Sequence, residues 1–369
     1  MDDRIRKLAE VLLEYSLNIK KGEKLAIVGD VTTFPLIKEC YRGAIVRGAL
    51  PQVMINSDEL KEILLKRGSE EQVKYVPDHV KKLFQSVDVF LGLFGGPNTR
   101  MLTNVNPEKL KLSAQGFSEI NKLIFERVAK NELRWCATMF PNQANAQEAN
   151  MSISEYEDFV YGAGHIDKED PAIEWKKIET KQEQICKFLD TKKHIRIISK
   201  DTDLNMLTEG RKWINCCGKV NFPDGEVFTG PVEDSMEGYI RFSFPGIYGG
   251  REIEDIQLTF KKGKVIKGSA VKGEELLKQL LETDEGARLV GEIAVGTNYN
   301  ILRFTKHMLF DEKIGGTVHL ALGRSIPESL GKNQSAIHWD MLCDMKNGGE
   351  IYADDALIYK DGNFLISST

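Results

Sequence analysis

Long apolar runs are missing from this chain. The longest near-apolar stretch, Val89–Gly96 (VFLGLFGG), falls far short of the ~20 residues that a membrane-spanning helix requires. The opening MDDRIRKLAE carries charges where an export signal has an apolar centre, so a cytoplasmic protein without membrane attachment is expected. Excess positive charge is also missing: 50 Lys and Arg against 55 Asp and Glu leave a formal charge of −5, which excludes a global field for holding nucleic acid. Cysteine is scarce, six in 369 residues, and in a cytoplasmic setting these read as reduced thiols rather than a disulfide framework. The adjacent Cys216 and Cys217 read as small buried apolar residues. Phosphate-cradling glycines are absent as well. The turn after Val28 reads GDVTTFP, no GxGxxG or GxxxxGK[ST] occurs, and Gly92, Gly95 and Gly96 lead into Pro97 as a plain turn, so a nucleotide-dependent oxidoreductase is disfavoured.

What remains is an ordinary globular composition, 41% hydrophobic and 28% charged, with a length suited to two domains. Ile5, Leu8, Leu12 and Tyr15 stand at helical spacing, and Leu25–Val28 reads as a buried strand. Thr33 caps a helix with Pro35 in its first turn and Gly48 beyond its end. Gln52–Ile55, Val87–Leu93 and Leu133–Met139 read as strands, and Ser57–Lys66 and Pro107–Ala129 as helices. Helices alternating with short apolar strands predict an α/β N-terminal domain built on a mostly parallel sheet. Ser152 and Glu155 form a capping box, and Asp170-Pro171 opens a helix that connects the domains. From His194 the texture changes to short β-rich segments (HIRIIS, GYIRFSF, DIQLTF), a KKGK hairpin and a helix at Glu274–Leu281, which predicts an α+β C-terminal domain. The expected domains are 1–190 and 191–369. No internal repeat or low-complexity segment stands out.

Chemistry concentrates between residues 226 and 340, where carboxylates and histidines sit beside glycines or inside strands. In NFPDGEVFTGP a tight Pro223–Gly225 turn precedes Glu226, and in VGEIAVGTN Glu292 stands in an otherwise uncharged stretch. Burying a lone carboxylate costs several kcal/mol unless a cation or donor meets it. In LFDEKIGGTVHLALG, Asp311 and Glu312 end an apolar run, and His319 shares a small-residue strand face with Thr317 and Ala321. In AIHWDMLCDM, His338 and Asp340 point to one side of a strand and Trp339 to the other. Each signal is weak alone. Together, Glu226, Glu292, Glu312, His319, His338 and Asp340 make an oxygen and nitrogen donor set suited to Zn²⁺, Co²⁺, Mn²⁺ or Mg²⁺, and four carboxylates balance two divalent ions better than one. His79, His165, His194 and His307 have no partners at ligand spacing and read as structural.

The order NFPDGEVFTGP, GEIAVGTN, DE followed by HLALG, and HWD resembles the metal-dependent aminopeptidases of the M29 family, the thermophilic aminopeptidase T group. The resemblance continues upstream through PNQANAQEANMSISEYEDFVYGA, DPAIEW, TDL and GRKW, and covers most of the chain. It implies a two-domain homodimer that removes N-terminal amino acids from short peptides, with two divalent metals in the C-terminal domain. Position by position, it implies the same six ligands, and Glu292 is expected as bridging ligand or general base. Two departures stand out. The family's tyrosine seven residues after the first histidine is Ile326 here, with Arg324 or Tyr239 as conceivable substitutes, and Glu312 lies seven rather than five residues before His319. Rival readings are a non-catalytic or altered-specificity metal-binding homologue, favoured by Ile326, and another two-metal hydrolase such as a phosphoesterase.

Overall fold

A computed structural model describes residues 2–366. The chain forms two compact units, Met1–Trp175 with Gly218–Pro223, and Lys176–Cys217 with Asp224–Thr369.

The first unit is built on a five-stranded sheet in the order β2-β1-β3-β4-β8, with every pairing parallel. Its strands are β1 (Lys24–Asp30), β2 (Leu50–Asn56), β3 (Val89–Phe94), β4 (Arg134–Met139) and β8 (Asn221–Phe222). Before them runs α1 (Asp3–Val11), and between them run α2 (Phe34–Val46), α3 (Asp58–Arg67), α4 (Glu70–Lys74), α5 (Asp78–Ser86), α6 (Pro107–Ala129), α7 (Gln143–Glu148) and α8 (Ile153–Ala163). Local chemistry explains the starts. Ser57, Ser69, Asn106 and Ser152 each accept a backbone N–H of the first turn, and Ser69 with Gln72 and Ser152 with Glu155 complete capping boxes. The first helix is shorter than its apolar spacing predicts, because the backbone widens into a π turn over Leu12–Ser16. Two short helices, α4 and α5, fill the stretch before β3 for which the sequence reading gave no element.

The helix α9 (Pro171–Leu189) crosses the division, which falls at Trp175 rather than at residue 190. The reason is packing: Trp175 stacks at a tilt on Phe222 within the first unit, whereas Ile185, Cys186 and Leu189 enter the core of the second.

The second unit holds two antiparallel sheets. One is ordered β14-β13-β10-β6-β5-β18-β19-β20, from β5 (His194–Ser199), β6 (Thr202–Leu207), β10 (Glu237–Arg241), β13 (Gln257–Lys261), β14 (Lys264–Ser269), β18 (Glu350–Ala353), β19 (Ala356–Lys360) and β20 (Asn363–Phe364). The other is ordered β17-β16-β15-β9-β7, from β7 (Ile214–Cys216), β9 (Glu226–Thr229), β15 (Val290–Gly296), β16 (Thr317–Gly323) and β17 (His338–Asp344). A small ribbon of β11 (Gly246–Tyr248) and β12 (Arg251–Ile253) and the helices α10 (Glu274–Leu281) and α11 (Met308–Asp311) complete the unit. Ile195, Leu204, Ile240 and Leu258 from the first sheet share one core with Val227, Ile293, Val318, Leu320, Trp339 and Met341 from the second. That core takes up only one face of the five-stranded antiparallel sheet. Side chains alternate along a strand, so the other face is left to the residues between.

Candidate metal centre

Register decides which residues occupy that other face. Directly opposed residues of antiparallel strands point to the same side. Asp340 opposes Ala321, Leu342 opposes His319, Ala294 opposes His319, Glu292 opposes Ala321, and Glu226 opposes Gly296. His338, Asp340, His319, Glu292 and Glu226 therefore stand on one face over the small residues Ala294, Gly296 and Ala321. Plain alternation along β15 gives Glu292 the side of Ala294 and Gly296. The pairing of β15 with β16 shifts only before it, between Val290 and Glu292, and this bulge at Gly291 turns Val290 to the core side. Only glycine fits the bulge, since a Cβ there would lie 2.4 Å from the Gly323 carbonyl oxygen and 2.5 Å from that of Arg324. Glu312 comes from the end of α11, and the turn through Gly315 and Gly316 absorbs its wider spacing from His319.

The side chains converge. Glu226, Glu292 and His319 each offer a donor atom within 4.8 Å of the others, as do Glu292, His338 and Asp340, and Glu312, His319 and Asp340. His319 Nε2 lies 3.3 Å from Glu292 Oε1 and 3.4 Å from Glu226 Oε2, and His338 Nε2 lies 3.8 Å from Glu292 Oε2 and 3.6 Å from Asp340 Oδ1. The two oxygens of Glu292 thus face different imidazoles. His338 Nδ1 is 2.8 Å from the Arg324 carbonyl, to which a protonated Nδ1 donates, leaving Nε2 for the cluster.

Electrostatics make the cluster short of positive charge. Burial pushes the Glu226 carboxyl up to about 8, against the pull of Lys313. It raises Asp340 to about 6. Burial works against His319, yet its contact with Glu292 and the charges of Glu226 and Asp340 carry it up to about 9. Glu226 and Glu292 are no more than 5% exposed and His319 is fully buried. Glu226 Oε2 and Asp340 Oδ1 are buried without a hydrogen-bond partner. Unmet buried oxygens beside imidazole nitrogens are a donor set that fits divalent cations.

Four residues near the cluster escaped the sequence reading. Lys313 is buried, with Nζ 2.8 Å from Glu226 Oε1, 3.7 Å from Asp224 Oδ1 and in contact with Glu312. Cys216, read as an apolar filler, forms a further donor trio with Asp224 and Glu226. Gln182 on α9 donates to the backbone carbonyls of Cys216 and Glu226. The PDGE turn and the DEK tripeptide were the available signals for Asp224 and Lys313, but a lysine flanking an acidic pair reads as surface. Asp311 turns away from the cluster: it is fully buried, accepts from Thr305 N and Oγ1, and burial raises it to about 7. His79, His165, His194 and His307 belong to none of the donor groups among the described residues. Tyr239 lies on β10, in the eight-stranded sheet, and is half exposed. Ile326 sits at the entry to a 3₁₀ turn over Pro327–Ser329.

Among the described residues no helix is long and apolar enough to cross a membrane. The chain is 27% identical to aminopeptidase T of Thermus thermophilus, across 97% of this chain and 95% of that one. It is 26% identical to aminopeptidase 2 of Geobacillus stearothermophilus, across 92% of each. The solved structure of wild-type AmpT from Thermus thermophilus superposes with a TM-score of 0.87 at 23% identity, covering 99% of both chains, and so shares this mixed α/β fold. The family model of the thermophilic metalloproteases (M29) matches residues 1–364. The chain belongs to that family, and with it to the peptide-bond hydrolases that use divalent metal.

Proposed function

We propose that this protein is a metal-dependent aminopeptidase, removing N-terminal residues from short peptides with two divalent ions held in the second unit by Glu226, Glu292, Glu312, His319, His338 and Asp340. The observation that carries the reading is the convergence of these donors, five from one sheet face and Glu312 from the end of α11, with buried oxygens of Glu226 and Asp340 unmet. Bound there, a divalent ion supplies Lewis-acid polarisation of a carbonyl and a lowered pKa for water. Glu292, whose two oxygens face the two imidazoles, is the residue that would serve both ions. The same carboxylate, within 4 Å of both imidazoles, would take up a proton from a water activated there. Asp340, Glu312 and His338 stand partly exposed at the rim, where an acidic edge favours the cationic α-amino group of a peptide over its neutral interior. With Ile326 in place of a tyrosine, no phenol from that position assists the oxyanion. A homodimer, as the family resemblance implies, is part of this reading, and the six free cysteines fit a cytoplasmic setting.

The test is hydrolysis of amino-acid anilides by metal-loaded and chelated protein. Chelation is expected to silence turnover and Co²⁺, Zn²⁺, Mn²⁺ or Mg²⁺ to restore it. Glu226→Ala, His338→Ala and Glu292→Gln are each expected to abolish it; wild-type turnover by any of them removes that residue from the site. Tight metal binding with no hydrolysis of any anilide or peptide would favour the non-catalytic reading.

A further inference from the structure

At one end of the cluster an ammonium group stands where metal chemistry would place an ion. Cys216, Asp224 and Glu226 each offer a donor atom within 4.8 Å of the others. Lys313, which is 1% exposed, reaches two of these three residues. Its Nζ lies 2.8 Å from Glu226 Oε1 and 3.7 Å from Asp224 Oδ1, donates to Glu312 Oε1, and faces the Cys216 thiol. Burying a lysine is costly unless anions surround it, and here three carboxylates do. The lysine is also fixed from behind, because the Asn298 N–H donates to the Lys313 carbonyl at 3.0 Å. The consequence for Glu226 is specific. Oε1 is tied to Lys313, and Oε2 is left without a hydrogen-bond partner, 3.4 Å from His319 Nε2. Anchoring one oxygen sets the rotation of the carboxylate and aims the other into the donor cluster, as partners behind a ligand do.

We propose that Lys313 is a positioning residue acting as a built-in cation: it turns Glu226 and Glu312 toward the metal positions and closes the Cys216–Asp224–Glu226 pocket to a divalent ion. The proposal rests on the metal reading of the six donors. It also completes the charge balance, since Asp224, Glu226, Glu292, Glu312 and Asp340 then meet one ammonium and two divalent ions. A neutral side chain at 313 would open the pocket, and an ion would move into contact with the Cys216 sulfur.

The full chain loaded with Co²⁺ reports this directly, because a cobalt–thiolate bond gives a near-ultraviolet charge-transfer band that carboxylate and imidazole ligands do not. Wild type and Lys313→Arg are expected to bind Co²⁺ without the band. Lys313→Met and Lys313→Gln are expected to show it, and Cys216→Ser in either background to remove it. A band in wild type, or none in both neutral variants, overturns the proposal while leaving the metal reading intact. Failure of wild type to bind Co²⁺ overturns both. Should neither neutral variant fold, the wild-type spectrum decides: a Cys216-dependent band overturns the closure, and bound Co²⁺ without it supports it.

Discussion

Gln182 is the residue whose removal most sharply tests how the site is held. It is 1% exposed on α9, and its Nε2 donates to Asn215 Oδ1 at 2.8 Å and to the carbonyls of Cys216 and Glu226 at 2.9 Å each. Its Oε1 accepts from Thr297 Oγ1 at 2.8 Å. One amide therefore joins β7, β9 and the segment after β15, the backbone that carries Cys216 and Glu226. An amide has two N–H donors, so the three acceptors share two protons. Gln182→Leu keeps most of the volume and removes every polar contact. Leaving about two buried oxygens and a hydroxyl unmet, at roughly 1–3 kcal/mol each and less what relaxation recovers, gives about 3 kcal/mol. For a unit of this size, at roughly 2–4 °C per kcal/mol, the metal-free protein should melt ~6–12 °C lower in calorimetry. Hydrogen exchange should quicken around residues 215–226 before elsewhere. Gln182→Glu should be worse, since a carboxylate would face three acceptor oxygens. A melting shift below ~2 °C for Gln182→Leu, with metal affinity unchanged, would refute the account.

Other outcomes follow from the same geometry. Gly291→Ala should lower metal content measured by elemental analysis, because the new Cβ would lie 2.4 Å from the Gly323 carbonyl oxygen and displace the backbone next to Glu292; full metal occupancy would contradict this. Gly225→Ala should act likewise at Glu226, as Gly225 has φ +125° and its Cβ would meet Asn298 Cβ at 2.7 Å. Metal uptake should strengthen as pH rises through the neutral range, since Glu226 and His319, raised to about 8 and about 9, hold protons that an ion must displace. Calorimetry in buffers of different ionisation enthalpy should find about two protons released near pH 7; none released would be inconsistent. The stability of the chelated protein should change oppositely. Both groups have folded pKa values above their unfolded ones, so their contribution is greatest below about pH 4.5 for Glu226 and about 6.5 for His319, and is lost on rising through about 8 and about 9.

Much of the first unit could be read along the chain because its strands are apolar runs and its helices carry their own start signals. The parallel sheet follows from that alternation. What local pattern could not supply is β8, a two-residue strand that joins β4 from far along the chain, after β5–β7 have been formed elsewhere. The division inside α9 was hidden for the same reason: one helix carries Trp175 for one core and Leu189 for another, and its periodicity does not change between them. In the second unit, residue types pointed to Glu226, Glu292, Glu312, His319, His338 and Asp340, and the fold brings these six together. Alternation puts Glu292 on the side of Ala294, but nothing local pairs that side with His319 and Asp340 on neighbouring strands. Lys313 was illegible since its burial depends on carboxylates from β9 and from the turn before it, residues far away in sequence.

Four neighbouring strands carry five of the donors, and this has a consequence for how such a site can change. Strands lie ~4.8 Å apart whatever side chains they bear, so the grid on which an ion would sit is ruled by backbone hydrogen bonds rather than by the ion. Substitutions in the loops at its edge, where Ile326 stands, can reshape what is admitted without redrawing the grid itself.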